Sequence, residues 1–282
     1  MKATVKVMFI VLASLFIVAC GEKNKEAKLY LEDIKSLYEN EEYELAKQKI
    51  DSIQKLYPKA FDEIKASLAL LQDVRKAQNI KQIAYCDSVV NVLQSRIDSI
   101  KQLFTYDINK EYQESGRFLP KTMPSKILSA TTLRAGVKEN GQLFIESVFV
   151  GNNKYHEAVK VSLKDGSYTE TLPVNEDGLN FRFTDAGKNY EVITFTGKDE
   201  NGIARFIYTF ADKPLNVTLT GKSTTSFALS GTAKKAISDT YLLSDWMLCV
   251  DSLKSVKEKA ELLIKYIDEK KNASALAKPV TE

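Results

Sequence analysis

Side chains suited to chemistry are few and scattered in this chain of 282 residues. The one histidine, His156, follows Tyr155 in a segment, Gly151 to Glu157, that we expect to be an exposed loop. A histidine acts as a general base beside an oriented nucleophile, and it binds metal together with other ligands; neither stands near it in the sequence. We therefore predict an ordinary loop residue, no enzymatic activity, no cofactor and no metal.

Two other patterns that suggest chemistry have simpler explanations. The acidic Asp-Gly and Asn-Gly turns lack the ligand spacing of a calcium loop, so we interpret them as hairpin turns. The segment Gly231 to Lys235 lacks the spacing of a phosphate-binding loop. It is better interpreted as the start of the last helix, with Thr232 as its cap.

Aromatic side chains are the remaining candidates for recognition. Exposed rings would form a platform for sugars or for apolar peptide surfaces, whereas rings at strand spacing are more often part of a core. Both interpretations stay open. The candidate platform consists of Tyr155, Tyr168, Tyr190 and Tyr208.

The first twenty residues carry the most specific motif. Lys2 and Lys6 form a short basic region before an apolar run, Val7 to Val18, which is shorter than the ~20 residues that cross a bilayer. The run ends in Ile-Val-Ala-Cys-Gly at 17–21, which resembles the lipobox of bacterial lipoproteins. The resemblance implies a signal peptide over 1–19, cleavage before Cys20, and membrane anchoring through acyl chains on the Cys20 thiol. An ordinary signal peptide or a single anchor helix is the alternative.

The residues after Cys20 bear on location. Gly21 stands where an Asp would favour inner-membrane retention in enterobacterial lipoproteins, so the resemblance implies the outer membrane. Residues 22–26 hold two acidic and two basic groups, whereas the surface-export signals of Bacteroidota lipoproteins look more uniformly acidic. This favours the periplasmic face over the cell surface. The chain as a whole resembles uncharacterised Bacteroidota envelope lipoproteins.

The charge balance excludes one class of partner. Without Lys2 and Lys6, the 40 basic groups fall to 38 against 37 acidic groups, so the net charge drops from +3 to +1. A nearly neutral chain lacks the electrostatic footprint of a nucleic-acid-binding protein.

The N-terminal region of the mature chain is predicted to be helical. Amphipathic stretches run from Ala27 to about Asn40 and from Glu42 to Tyr57, and Pro58 ends the second. The second stretch resembles the latter half of a tetratricopeptide repeat, which implies a peptide-binding array. Only one copy is visible, so a helical hairpin is the simpler expectation.

Two heptad tracts suggest a coiled coil. The first lies in a helix expected from Ala60 to about Tyr112, and the second lies near the C-terminus. Their predicted antiparallel pairing places Cys86 and Cys249 roughly 16 Å apart along the axis, too far for a disulfide. The tract positions are Ile83, Cys86, Val90, Leu93, Ile97, Ile100 and Phe104, then Leu242, Trp246, Cys249, Leu253, Val256, Ala260, Leu263 and Ile267.

Alternating patterns between the tracts predict strands. Val159, Val161 and Leu163 alternate with polar residues, as do several later segments, and we expect 204–210 to be one of these strands. The fold class expected is therefore α+β, a long antiparallel coiled-coil stalk with an inserted antiparallel β-sandwich or barrel-like head. The predicted parts are a signal peptide (1–19), a helical hairpin and long helix (20–119), the head (120–231), a C-terminal helix (232–271) and a disordered tail (272–282).

One further pattern concerns modification. Four Asp-Ser-aliphatic triplets resemble the O-glycosylation signal of Bacteroidota envelope proteins, which implies modification at Ser52, Ser88, Ser99 and Ser252. The alternative is that Asp and Ser simply occupy polar positions beside a heptad aliphatic residue.

The sequence thus predicts a non-enzymatic envelope lipoprotein that acts as an interaction or scaffold protein, binding a protein partner through its stalk and head. The alternatives are a glycan-binding lipoprotein, because the β region is rich in aromatics, and a periplasmic holdase-like chaperone. The near-neutral charge disfavours the chaperone, because such proteins carry strongly basic tentacles.

Overall fold

The computed structural model of the chain describes residues 24–111, 114–123, 130–152, 155–174, 180–185 and 187–276. The predicted signal peptide, the lipidation residue Cys20 and residues 277–282 lie outside these ranges. The chain divides into two compact units. We call Met1–Ser88 with Lys254–Glu282 the helical unit, and Val89–Leu253 the β unit. Within the described ranges, no helix is both long enough and apolar enough to cross a membrane.

The described part of the chain contains five helices and ten strands. The helices are α1 (24–39), α2 (Tyr43–Leu56), α3 (Phe61–Lys101), α4 (Ile203–Thr209) and α5 (Gly231–Leu276). The strands are β1 (Phe104–Asp107), β2 (Arg117–Pro120), β3 (Thr132–Lys138), β4 (Leu143–Gly151), β5 (His156–Ser162), β6 (Tyr168–Glu170), β7 (Asn180–Asp185), β8 (Lys188–Thr196), β9 (Asn216–Gly221) and β10 (Thr225–Ala228).

The helical unit is held together by a small apolar core. Ile34, Ile50 and Ile53 are buried together with residues of α3, because α1 and α2 each present one apolar stripe toward it. Ion pairs join α3 to α5: Lys76 to Asp268 at 2.6 Å, and Lys257 to Asp87 at 2.6 Å. The pairs are partly exposed, so we expect apolar packing to contribute most of the stability.

The β unit contains two antiparallel sheets. The six-stranded sheet has the order β1-β2-β3-β4-β8-β7, and the four-stranded sheet has the order β10-β9-β5-β6. Inward side chains of both sheets share one core with α4 and the start of α5. The buried members include Leu133, Ile145, Val159, Val161, Ile193, Phe195, Ile203, Ile207, Val217, Leu219, Ala233 and Ile237.

The predicted coiled-coil stalk with an inserted β-sandwich or barrel-like head is wrong, although the chain is α+β. In the helical unit, α1 and α2 pack on α3, so α3 and α5 do not form a free two-helix stalk. In the β unit, Ile97 of α3 and Leu243 of α5 pack with Val137 of β3, and Ile237 joins the core of the sheets. Helix α3 therefore contributes to the core of the helical unit and to that of the β unit, and α5 contributes to the cores of the β unit.

Two predicted elements differ locally. Helix α3 ends at Lys101 instead of continuing to about Tyr112, because Phe104–Asp107 pairs with β2 as a strand. The strand predicted at 204–210 is instead α4. The apolar residues of this segment fit both the two-residue repeat of a strand and the 3.6-residue repeat of a helix. The Glu200 carboxylate accepts hydrogen bonds from the N–H groups of Gly202 and Ala204, and these bonds fix the start of a helix.

The buried positions of α5 in the β unit also differ from the predicted heptad positions. Leu243 and Val250 are buried, whereas the predicted seam residue Cys249 is exposed. The helix buries two faces, because Ser244 donates a hydrogen bond to the carbonyl of Gly141 while Leu243 packs beside α3. Its cap is Ser230, whose hydroxyl accepts from the N–H of Ala233 at 3.1 Å, and not the predicted Thr232.

Candidate functional site

The single histidine is buried, so its prediction as an exposed loop residue was wrong. His156 is the first residue of β5 and is 0% exposed. The strand continues the alternation of Val159 and Val161 toward the core, and a bulge between 156 and 158 adjusts the register at its start. His156 therefore faces the interior between the strands of both sheets.

The imidazole of His156 joins a serine to a glutamate. Its Nε2 lies 2.6 Å from Oγ of Ser147 on β4, and its Nδ1 lies 2.5 Å from Oε2 of Glu191 on β8. The backbone N–H of His156 also donates to Oε2 of Glu191 at 3.1 Å. We call Ser147, His156 and Glu191 the buried polar network. It connects the six-stranded sheet to the four-stranded sheet by side-chain hydrogen bonds.

Cations surround one end of the network. The Arg182 guanidinium donates to the His156 carbonyl at 3.2 Å, and its Nε lies 3.8 Å from Oε1 of Glu191. The Tyr155 ring contacts the Arg182 guanidinium at 3.9 Å and the Lys222 ammonium at 4.2 Å from its centroid.

The order hydroxyl, imidazole, carboxylate is that of a nucleophilic triad. A nucleophile must nevertheless reach the carbon it attacks. Ser147 and His156 are both 0% exposed and Glu191 is 1% exposed, so a substrate has no approach to the Ser147 hydroxyl unless the sheets separate. In this conformation the network acts as a bridge within the core.

Sequence reasoning missed Ser147 and Glu191. Both stand at inward positions of otherwise apolar strand faces: Ser147 lies between Ile145 and Phe149, and Glu191 precedes Ile193 at the same spacing. Two polar residues at core positions signal a buried partner, because an unpaired polar group in a core is costly. That partner is His156.

Gly221 allows β9 to approach the backbone beside His156. The two residues pair across β5 and β9. A Cβ at 221 would lie 2.2 Å from the carbonyl oxygen of Tyr155 and 2.6 Å from the His156 Cα, and no rotamer change relieves a clash with backbone. We expect Gly221→Ala to lower the free energy of unfolding by about 1–3 kcal/mol in urea denaturation.

Gly231→Ala is the matched control for this prediction. Gly231 begins α5 and a Cβ there would meet nothing within 4 Å, so we expect a change within about 0.5 kcal/mol. Equal unfolding midpoints for Gly221→Ala and the wild type would show that β5 and β9 have room to move apart.

The four candidate platform tyrosines differ in their exposure and in the side chains that they contact. Tyr168 is 57% exposed on β6 and Tyr208 is 42% exposed on α4, while Tyr155 and Tyr190 are half-buried. Tyr168 lies under the ammonium of Lys160, 3.7 Å from its centroid. The Tyr190 ring stacks on Phe183, and the Tyr208 ring contacts that of Tyr241. A platform formed by the four tyrosines together stays a prediction.

A different aromatic group is exposed on β7 and β8. Phe183 stacks on its cross-strand partner Tyr190 with centroids 4.9 Å apart and planes 8° apart. Phe181, two residues earlier on the same face, is 61% exposed, and Phe183 is 47% exposed. We call Phe181, Phe183 and Tyr190 the aromatic face. Strand β7 is an edge of the six-stranded sheet, so the aromatic face lies at the border of that sheet.

A cavity of about 490 Å³ lies elsewhere in the β unit, beside the ring of Tyr241. The Tyr241 ring contacts that of Tyr208 at 5.1 Å. The walls come from the β3–β4 turn, the segment before α4, α4 itself and the N-terminal half of α5. We call it the Tyr241 cavity.

The other predicted site residues lie on helices. Ser52 is half-buried on α2, whereas Ser88, Ser99 and Ser252 are exposed on α3 and α5. Cys86 is a buried free thiol and Cys249 an exposed one. In the described ranges, no group of three or more His, Cys, Asp or Glu side chains is placed to hold a metal ion. Comparisons of the chain with protein-family models, with curated proteins and with solved structures find no match.

Proposed function

We propose that this chain is a lipid-anchored protein of the bacterial envelope that works by binding a partner. The lipobox-like segment ending at Cys20 supports the anchor, and Gly21 with the mixed charges at 22–26 supports the periplasmic face of the outer membrane. Burial of Ser147 and His156 supports binding as the activity, because the triad-like arrangement in the described residues has no access for a substrate.

The observation that carries the proposal is the aromatic face. Large aromatic side chains are enriched at protein interfaces, and a contiguous exposed apolar group is more informative than single exposed residues. Phe181 and Phe183 are more exposed than residues of a core strand would be, and stacking on Tyr190 holds the Phe183 ring in place. A preordered ring loses little side-chain entropy when a partner covers it.

The test is photo-crosslinking of the full-length protein in the cells that express it. A photoreactive phenylalanine replaces Phe181 or Phe183, which changes the exposed ring least. We expect one adduct of defined mass from each position. The same probe at Tyr168, also exposed but on the four-stranded sheet, is the matched control and should give no such adduct. Identical adducts from all three positions would indicate collisions without a specific surface.

With that partner purified, Phe181→Thr combined with Phe183→Thr should weaken binding by about tenfold or more, because interface aromatics often contribute 1–2 kcal/mol each. Threonine keeps strand propensity, so the unfolding midpoint should change little. Unchanged affinity in the double variant would remove the aromatic face from the proposal.

A second candidate function, glycan binding, is favoured by a separate observation. The Tyr208 and Tyr241 rings form a pair next to a concave space, which is the arrangement that sugar rings stack against. The two functions use different surfaces of the β unit, and variants therefore separate them.

A further inference from the structure

Hydrogen bonds connect the segments that form the walls of the Tyr241 cavity. The β3–β4 turn is closed by hydrogen bonds from the Gly141 N–H to the Lys138 carbonyl at 2.9 Å and from the Gln142 N–H to Oδ1 of Asn140 at 3.0 Å. The Ser244 hydroxyl then donates to the Gly141 carbonyl at 2.7 Å, which ties the turn to α5. One side of the cavity is thus fixed before any ligand arrives.

The opposite wall is fixed by Glu200. Its carboxylate accepts from the N–H of Gly202 at 3.0 Å and from the N–H of Ala204 at 2.5 Å, which anchors the first turn of α4. Glu200 therefore contributes negative charge to the cavity while its oxygens are already in use. Arg205, one residue further along α4, lines the same space.

Three polar groups that α4 and α5 contribute to the lining remain available to a ligand. Within the described part of the chain, the Asp245 carboxylate and the Arg205 guanidinium make no hydrogen bond or ion pair. The phenol of Tyr241 is the third. Burial raises the pKa of Tyr241 and the nearby Asp245 carboxylate acts in the same direction, so the phenol keeps its proton as a donor. The lining thus offers an acceptor on Asp245, several donors on Arg205 and a hydroxyl on Tyr241, beside the aromatic ring of Tyr241.

These groups fit a ligand that both donates and accepts hydrogen bonds. Glu200 and Asp245 disfavour an anion such as a phosphate, and Arg205 disfavours a polycation. The hydroxyls of a sugar can donate to Asp245 and accept from Arg205, while the C–H face of the ring packs on Tyr241. A volume of about 490 Å³ falls in the range of small-ligand pockets, roughly 300–1,000 Å³.

We infer that the Tyr241 cavity is the binding site for a neutral saccharide, held by stacking on Tyr241 and by hydrogen bonds to Asp245 and Arg205. The inference deepens the glycan-binding form of the proposed function and rests on it for the class of ligand. It does not depend on the aromatic face, which lies on β7 and β8.

The experiment measures binding of short neutral oligosaccharides to the full-length protein in detergent. The probes are di- to tetrasaccharides of hexoses and of N-acetylhexosamines, with uronic-acid oligosaccharides and neutral tetrapeptides as comparison ligands. The variants are Tyr241→Ala and Asp245→Ala. Asp245 is exposed, so its variant keeps the fold even if the partly buried Tyr241 does not tolerate truncation. Asp251→Ala, an exposed aspartate on the same helix, is the matched control.

We expect a neutral oligosaccharide to bind, and each cavity variant to weaken it by about tenfold or more, since a lost stacking or charged hydrogen bond is worth about 1.4 kcal/mol. Asp251→Ala and the Phe181 and Phe183 double variant should bind as the wild type does. If the double variant alone loses binding, glycan binding stands and the cavity is overturned as its site. If only tetrapeptides bind, the saccharide class is overturned. If no probe binds, both the cavity and the glycan function are overturned, while crosslinking still tests the protein partner.

Discussion

His156→Ala is expected to lower the free energy of unfolding by about 3–5 kcal/mol, as breaking a buried pair from one side usually does. The change leaves the Glu191 carboxylate and the Ser147 hydroxyl buried without the ring that joins them, and it opens a void between the sheets. Urea denaturation of the full-length protein measures this as a shift in midpoint, and a similar slope would show that the variant still unfolds in one step.

Glu157→Ala provides the control, because Glu157 is the exposed neighbour of His156 on the same strand. Its unfolding free energy should lie within about 0.5 kcal/mol of the wild type. Ser147→Ala should cost less than His156→Ala, about 1–2 kcal/mol, since it removes one neutral hydrogen-bonding group. A wild-type midpoint for His156→Ala would mean that the network contributes nothing to stability.

Cys20→Ser should abolish both acylation and removal of the signal peptide. The peptidase expected here acts after the thiol has been acylated, and serine offers no thiol. Two or more acyl chains give stable anchoring, since each buried CH₂ contributes about 0.8 kcal/mol. Metabolic labelling with a clickable palmitate analogue should label the wild type, whereas Cys20→Ser should remain unlabelled and migrate as the larger precursor.

Cys249→Ser is the matched control, because Cys249 is the exposed thiol of the described residues. It should keep both the label and the cleavage of the wild type. If Cys20→Ser is still labelled, or if the label disappears in Cys249→Ser, the anchor is not where the lipobox-like segment places it.

Local patterns predicted local structure well where one face alone is buried. The spacing of Ile97 and Ile100 predicted the buried stripe of α3, and the alternation at Val159 and Val161 predicted β5. Such local patterns could not predict how these elements pack against one another. A heptad repeat shows that a stripe is covered, but not whether a helix or a sheet covers it, and Ile97 packs with both Leu243 and Val137.

The buried network was missed for a different reason. His156 lies in a Gly- and Asn-containing stretch that indicates a loop, and its partners are 9 and 35 residues away in the sequence. Their proximity depends on how two sheets face each other, which no single strand specifies. The aromatic face was hidden similarly: alternation cannot tell which of two faces of an edge strand is exposed.

The buried polar network also affects which arrangements the chain can adopt. A slip of β5 by one residue would turn His156 to the opposite face of its sheet. Ser147 and Glu191 would then stay buried with no partner, at about 1–3 kcal/mol for each group. The same slip would also turn Val159 and Val161 away from the core, so the apolar and polar residues of β5 specify one register together. The three polar residues thus specify the strand register, because they destabilise misaligned sheets more than they stabilise the native alignment.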